Sequence, residues 1–371
     1  MKWIRITAVL LVLILLSACS VNPGTVSTTP TEEIAENIFT SPPEMETETD
    51  ETDNGVDIGT IWKGFASDKN EKEGKNIVYS GGETCVTFEM GVTGKLREIG
   101  VGLLLLLDGN PQPYKLSEEG ELAYVHQLPM EDGPYYEMMF TPVTGKAGDV
   151  LELNVIHLLN LDYFHGREGE NGINLSQTMG SNFTSTRMAF KADPPEAELP
   201  EVPERVVEQS VTNVDLTSRD TRGWSAENLQ KESSFTMTTD HESQWGWTYA
   251  VTPEGGITVR AEVFGCPAAD WSFLVYVGHQ PVSVRPENRI FFQTKNGQKT
   301  VIEVKLDLSD FDGEAILYGV LCARNWWDLT SMDVGNISTE ITETYYLTDA
   351  VDLDAVHEKY GLKSGDQYFA S

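Results

Sequence analysis

Apolar residues recur along the chain in short β-branched and aromatic runs, roughly ten residues apart, with Gly, Pro, Asn or Asp between them. Strands joined by tight turns have that spacing, whereas helices call for longer runs of period 3.6. Alternation is clearest in Val301–Leu308, where Glu303, Lys305 and Asp307 face one way and the aliphatic residues the other. Val101–Leu107 is apolar at every position, which predicts a strand covered on both faces; seven residues are too few to cross a bilayer as a helix. The one helix the pattern predicts is terminal, with Asp352 as N-cap, Leu353 to Tyr360 as its body and Gly361 as its stop.

The strand pattern occurs twice. Ile77-Val78-Tyr79 leads through Gly81-Gly82 into Thr84–Met90, and Thr248-Tyr249-Ala250-Val251 leads through Gly255-Gly256 into Ile257–Phe264. Next come Val101–Asp108 and Trp271–Val277, each followed by a Gly-containing turn and a Pro (Gly109 and Pro111; Gly278 and Pro281). Met138–Thr141 then matches Ile290–Gln293, and Val150–Val155 matches Val301–Leu306. Agreement in order and turn chemistry implies a tandem duplication. Each copy, with about seven strands, fits an immunoglobulin-like β-sandwich; a jelly roll satisfies the same pattern.

The first nineteen residues break the β pattern. Lys2 and Arg5 precede an apolar run from Ile6 to Leu16, and Leu16-Ser17-Ala18-Cys19 closes it with small residues before a cysteine. A positive start, a short apolar core and small closing residues describe a secretory signal. The ending resembles the lipobox of bacterial lipoproteins. That resemblance implies acylation of Cys19, cleavage before it, and anchoring on the extracytoplasmic face of a bacterial membrane, since two or three acyl chains hold where one is marginal. After Cys19, ten acidic residues and no Lys or Arg up to Asp57 predict a disordered tether. Residues 191–204 hold four prolines and read as an extended, semi-rigid spacer between the halves. The expected organisation is therefore a signal over 1–18, a lipidated tether over 19–58 and sandwiches over 59–193 and 205–350. The sandwiches are joined by a Pro-rich linker over 194–204, and a helix and tail follow over 351–371.

Charge and cysteine content narrow the partners. With 58 Asp and Glu against 26 Lys and Arg, the net charge of −32 repels nucleic acid and anionic headgroups. An extracytoplasmic compartment permits a disulfide, and Cys266 and Cys322, both near strand ends of the second half, are the natural pair; two buried thiols fit equally. Cys85, in Cys85-Val86-Thr87-Phe88, reads as a core residue.

Candidate chemistry is sparse. The chain has no Gly-x-Ser-x-Gly elbow, no His-Glu-x-x-His and no phosphate loop, and its six histidines lack metal-ligand spacing. His157 alternates with apolar residues and reads as packed in or against a strand. Asp307, Asp310 and Asp312 beside Gly313 form a weak calcium candidate that lacks an EF-hand's distal Glu, and a solvated turn accounts for them better. The insertion His165–Gly172 is absent from the second copy. Trp245, Trp247, Trp326 and Trp327 are the candidate ligand platform, because Trp residues two apart on a strand share a face on which sugar rings or a partner's apolar groups stack. The expected role is non-catalytic recognition, adhesion or scaffolding at the cell surface, with a protein or glycan partner and no cofactor beyond the lipid. A carbohydrate-binding module and an enzyme with a site at the domain junction are the alternatives.

Overall fold

Period-two alternation becomes strand almost throughout. The computed structural model describes residues 61–93, 100–128, 134–159, 161, 183–240, 242–245, 248–251, 256–330, 340–342 and 345–348. The signal, Cys19, the 19–58 tether, the insertion around His165, Trp247 and the helix expected within 351–371 lie outside the described residues. Among the described residues no helix is long and apolar enough to cross a membrane.

The first sandwich comprises β1 (Ile61–Phe65), β2 (Lys72–Glu73), β3 (Asn76–Tyr79), β4 (Thr84–Val92) and β5 (Val101–Leu107). It continues through β6 (Asn110–Pro111), β7 (Val125–Gln127), β8 (Tyr135–Phe140), β9 (Val150–Leu159) and β10 (Phe183–Phe190). One sheet has the order β1-β4-β8; the other runs β2-β3-β10-β9-β5-β6, with β7 also on β5. The second sandwich starts with an added strand, β11 (Val206–Asp215), then β12 (Ser233–Thr239), β13 (Glu242–Trp245), β14 (Thr248–Val251), β15 (Ile257–Gly265) and β16 (Asp270–Val277). β17 (Gln280–Pro281), β18 (Ile290–Gln293), β19 (Gln298–Leu306), β20 (Glu314–Ala323), β21 (Glu340–Ile341) and β22 (Tyr345–Thr348) complete it. Its sheets are β11-β19-β15-β12 and β13-β14-β22-β20-β16-β17, with β18 on β16 and β21 on β20.

Set side by side, β1–β10 correspond in chain order to β12–β20 and β22, with the same neighbours and the same parallel pair (β3 with β10, β14 with β22). Only β11 and β21 have no counterpart among the described strands. The chain is thus two tandem immunoglobulin-like sandwiches. The sequence comparison of the two halves slips by one strand at its end: β8 corresponds to β19 and β9 to β20, because both β8 and β19 lie in the smaller sheets beside β4 and β15. Glu152 and Asn154 cause the slip, since their polar alternation in β9 imitates an outer strand although both are buried.

The reason they are buried is the way the halves meet. In β5, Val101, Leu103, Leu105 and Leu107 fill the first sandwich's core beside Val86, Phe88 and Met138. Leu104 and Leu106 point the opposite way, and with Ile156 and Leu158 of β9 they pack on Tyr276 of β16 and Ile316, Tyr318, Val320 and Cys322 of β20. All seven residues of β5 are buried, so the two-faced coverage expected from the sequence is present. Four sheets are stacked, and the two inner ones are equivalent sheets of the two copies. The linker does not hold the halves apart. Its start is fastened where Lys191 N–H donates to Tyr79 O (2.8 Å) and Ala147 N–H to the Asp193 carboxylate (2.8 Å). Its end is fastened where the Glu204 carboxylate accepts from Ser283 Oγ (2.6 Å) and Val284 N–H (3.1 Å).

Turn chemistry sets the ends of the inner strands. Asp108 and Gly109 (φ 49° and 71°) and Gly278 and His279 (φ 57° and 65°) are both two-residue turns with positive φ at each central position, the type I′ requirement. Gly109 is needed twice over, because a Cβ there would lie 2.4 Å from Ser272 Oγ of the second sandwich. Leu104→Ala and Leu105→Ala, on opposite faces of β5, are each expected to lower unfolding free energy by about 2–5 kcal/mol. Chemical denaturation checks this; a near-silent Leu104→Ala would mean that the sandwiches do not pack on one another.

Candidate recognition surface

The polar groups of the junction come from the ends of the inner strands. Asp108 accepts from Arg324 Nη2 at its carboxylate (2.6 Å) and from Nε at its carbonyl (3.1 Å), tying the β5 turn to the end of β20. The Arg324 guanidinium also lies 4.3 Å from the Phe291 ring centre. Glu152, 5% exposed, accepts the Trp327 N–H at Oε1 (2.8 Å), and its Oε2 has no hydrogen-bond partner among the described residues. Burial pushes its carboxyl up to about 8; the Trp327 N–H and the Arg187 charge pull the other way, and Asp328 and Asp108 add to the rise.

Of the four tryptophans expected as a platform, the side chains of Trp326 and Trp327 are described. Trp326 and Trp327 begin a short helix, Trp326–Thr330, and are half-buried at the junction. Trp326 meets Phe183 of the first sandwich edge-on (5.5 Å), Trp327 lies under Arg187 (5.9 Å), and the two indoles are perpendicular (87°), so they form no coplanar surface. β13 ends at Trp245, which pairs with Thr248; its side chain and all of Trp247 lie outside what is described.

The cysteine pairing is corrected as well. Cys266 and Cys322 are separate buried thiols, the first just after β15 of the outer sheet and the second in β20 of the inner one. Cys322 faces the junction, where Asn154 Nδ2 donates to its Sγ (3.4 Å), whereas Cys266 packs with Val263, Trp271 and Leu329. Cys85 is exposed rather than in the core, because Val86 and Phe88 take the inward positions of β4. The Asp307 loop is a closed turn: Asp307 accepts the Ser309 N–H (2.9 Å), and Asp310 accepts from Arg205 Nη1 (2.7 Å). Among the described residues no three His, Cys, Asp or Glu side chains are grouped as a metal site would need. His157 is buried in the first core, stacked on Phe88 (5.6 Å), with Lys63 Nζ donating to its Nδ1 (3.1 Å). His126 lies at Tyr114 O (2.6 Å) and His279 near Tyr318 Oη (3.4 Å).

With the inner sheets covered, the outer sheets are exposed; that of the first sandwich shows Trp62 and Tyr135, and that of the second carries a charged ladder. There Arg260 Nη1 donates to Glu303 (2.7 Å) and Nη2 to Glu262 (2.9 Å), while Lys299 donates to Glu262 (2.5 Å) and Asp220 (3.0 Å). The Thr217 hydroxyl and N–H, then Lys299, hold the Asp220 carboxyl well below its usual range. Burial would raise Glu262, but Lys299 and Arg260 outweigh it and lower its carboxyl. Thr217, Asp220, Glu262 and Lys299 line an open basin of about 640 Å³ that also includes Ser234, Thr236 and Trp224; the Trp224 indole packs edge-on against Phe264 (5.3 Å). Sequence reasoning passed over Trp224, although its position after Gly223 in a polar stretch with no apolar alternation marks it as a surface aromatic.

β11 borders this sheet as an edge strand. Val207, Val211 and Val214 are 62%, 44% and 45% exposed. Val211 pairs with Ile302, which is fully buried, so it sits on the core side of the sheet and is nevertheless exposed: β11 overhangs the core.

No family model matches the chain, and no curated protein matches it. Solved structures of similar shape include the fibronectin(III)-like modules of Clostridium thermocellum CbhA (8% identity, covering 78% of this chain and 97% of that one, TM-score 0.19). The C-terminal domain of the Streptococcus agalactiae AgI/II polypeptide BspA is another (8%, 78% and 100%, TM-score 0.17). A third is CBD12 from CALX1.2 (11%, 73% and 96%, TM-score 0.18). Likeness at these scores carries no functional inference, and the sandwich fold rests on the sheets themselves.

Glu152 has a defined pH signature. Its folded pKa of about 8 lies above the ordinary 4.5, so between those values the native state binds the extra proton and stability falls as pH rises. Glu152→Gln keeps the acceptor for the Trp327 N–H and removes the titration. Relative to the parent, it is expected to gain stability from pH 5 to pH 8, reaching about 1–4 kcal/mol, at ~1.4 kcal/mol per unit of pKa shift. Urea denaturation at several pH values checks this, and a difference independent of pH would show that Glu152 does not carry it.

Proposed function

We propose that this chain is a non-catalytic lipoprotein, anchored through Cys19 on the extracytoplasmic face of a bacterial membrane. There the fused pair of sandwiches recognises a protein partner by strand addition along β11. The observation that carries the reading is β11 itself. It is a ten-residue edge strand with no counterpart among the described strands of the first copy, Val211 overhangs the core, and Val207 and Val214 are exposed as well. An edge strand offers a row of main-chain donors and acceptors to an extended partner, and natural proteins usually blunt such an edge with Lys, Pro or short length. β11 contains no Lys and no Pro. A net charge of −32 weighs against nucleic acid as the partner. A non-catalytic role is supported by the junction carboxylates, which are engaged by Arg324, the Trp327 N–H and Arg187, while the described histidines lie elsewhere.

Two measurements test the parts separately. Cys19→Ala is expected to move the protein out of the membrane fraction and abolish incorporation of labelled palmitate; retention with label intact sinks the anchor. A photoreactive residue at Val214 in intact cells is expected to give a discrete adduct, lost when Val211→Lys and Ser210→Pro are introduced together. An adduct indifferent to those changes, or none at all, removes the edge from the function.

A second reading, glycan recognition, is favoured by the basin at Trp224, where an aromatic face is ringed by hydrogen-bonding side chains. It predicts that Trp224→Ala weakens binding to purified wall polysaccharide at least tenfold while the β11 variants leave it unchanged. Unaltered binding in Trp224→Ala would eliminate this reading.

A further inference from the structure

Where the linker crosses the junction it roofs a groove of about 350 Å³. Both sandwiches and the linker contribute walls, through Pro111, Pro142, Pro194, Pro195, Leu199 and Leu274, none of which has a side chain able to hydrogen-bond. That volume is at the small end of ligand sites, which combine apolar walls with a few placed polar groups. Thr144, Ser283, Asn288 and the exposed Glu196 are among its polar lining, but Tyr124 from the first sandwich and Arg289 from the second are the two that stand out.

Neither has its polar atoms answered by the protein. Tyr124 is 2% exposed, and its Oη has no hydrogen-bond partner among the described residues. A buried, unanswered hydroxyl is costly, and native structures rarely keep one without a reason. Burial pushes the Tyr124 phenol up to about 12, so at neutral pH it keeps its proton and acts as a donor. The side chain of Arg289 is part-buried and makes no ion pair or hydrogen bond among the described residues. Glu204, the carboxylate near enough to Tyr124 to influence it, is taken by Ser283 and Val284 and lies 3.6 Å from Arg285. A part-buried guanidinium and a phenol O–H therefore share one groove, and the carboxylate on its lining, the exposed Glu196, makes no ion pair with Arg289 among the described residues.

We propose that this groove is a binding site for a small carboxylate with an apolar body, held by Arg289 and the Tyr124 hydroxyl. The guanidinium fork matches a carboxylate in two parallel hydrogen bonds, and the phenol donates to the same group. Proline and leucine walls take the apolar part. A single cation selects a monoanion, because a dianion would leave one charge desolvated without a counter-charge. The site is separate from β11 and the Trp224 basin, and stands whether or not those surfaces act as proposed above.

The test titrates the full chain, detergent-solubilised, with benzoate, benzamide and inorganic phosphate, followed by ligand-observed NMR. Benzoate is expected to bind at least tenfold more tightly than benzamide, which has nearly the same shape without the charge, and phosphate is expected not to displace it. Arg289→Gln should cut benzoate affinity at least tenfold and leave benzamide unchanged; Tyr124→Phe should cost several-fold. Arg289→Lys keeps the charge without the fork and should fall between, which guards against a variant that fails to fold. Equal binding of benzoate and benzamide, binding of neither, benzoate affinity that survives Arg289→Gln, or displacement by phosphate would each overturn the proposal.

Discussion

The layer of side chains between the two inner sheets governs most of what this protein is. Leu104, Leu106, Ile156 and Leu158 from one copy meet Tyr276, Ile316, Tyr318, Val320 and Cys322 from the other, with Tyr276 and Tyr318 stacked nearly parallel at 5.2 Å. Two sandwiches joined only by a linker would move independently by default. Here a continuous apolar layer joins them, so strands that would alternate in a lone sandwich are apolar on both faces. Because β5 and β9 of one copy meet their equivalents β16 and β20 of the other, the contact has the self-complementary form of a two-fold dimer. A surface that pairs with its own duplicate needs no separate evolution of a complementary face.

That layer also explains the cost accepted at its rim. Glu152, buried with one oxygen unanswered, opposes stability, and so does Asn154 with its free Oδ1. Both sit on the junction side of β9, where their hydrogen bonds reach groups of the other copy: the Trp327 N–H and the Cys322 thiol. Buried polar contacts of this kind are weak contributors to stability but poor matches for any other register. A purely apolar sheet-on-sheet contact would tolerate sliding by a residue pair. Asp108 against Arg324 at one end and Glu152 against Trp327 near it fix the offset.

How legible the sequence was follows from what a periodicity can encode. Strand positions, both copies, the turns after β5 and β16, and the two-faced burial of β5 were all readable, because each depends on local spacing and turn residues. What lay beyond it was identity of the covering surface. Polar alternation in β9 looks the same whether the polar side meets water or a second sandwich, which produced the one-strand slip. Trp326 and Trp327 read as an exposed strand end, since nothing local reveals Phe183 and Arg187 arriving from more than a hundred residues away. Cys266 follows β15 of the outer sheet and packs inside the second sandwich, whereas Cys322 of β20 faces the junction, and local spacing does not reveal which layer each cysteine faces. The polar basin at Trp224 and the groove under the linker are assembled from distant segments, so neither leaves a local motif.

Fusion of the inner sheets has a consequence for where contact with other molecules takes place. Each copy has spent its larger sheet on the other, and the first copy's smaller sheet, β1-β4-β8, has no added strand among the described residues. The second copy has gained β11, an overhanging edge, and the Asp220–Lys299–Glu262–Arg260 ladder on the same outer sheet. Among the described strands, the additions fall on the second copy. The first sandwich therefore acts mainly as the half that covers the second one's inner sheet and completes the seam. Exposed side chains remain on both outer sheets, Trp62 and Tyr135 on the first and the charged ladder on the second, and the groove exists only because the two are joined.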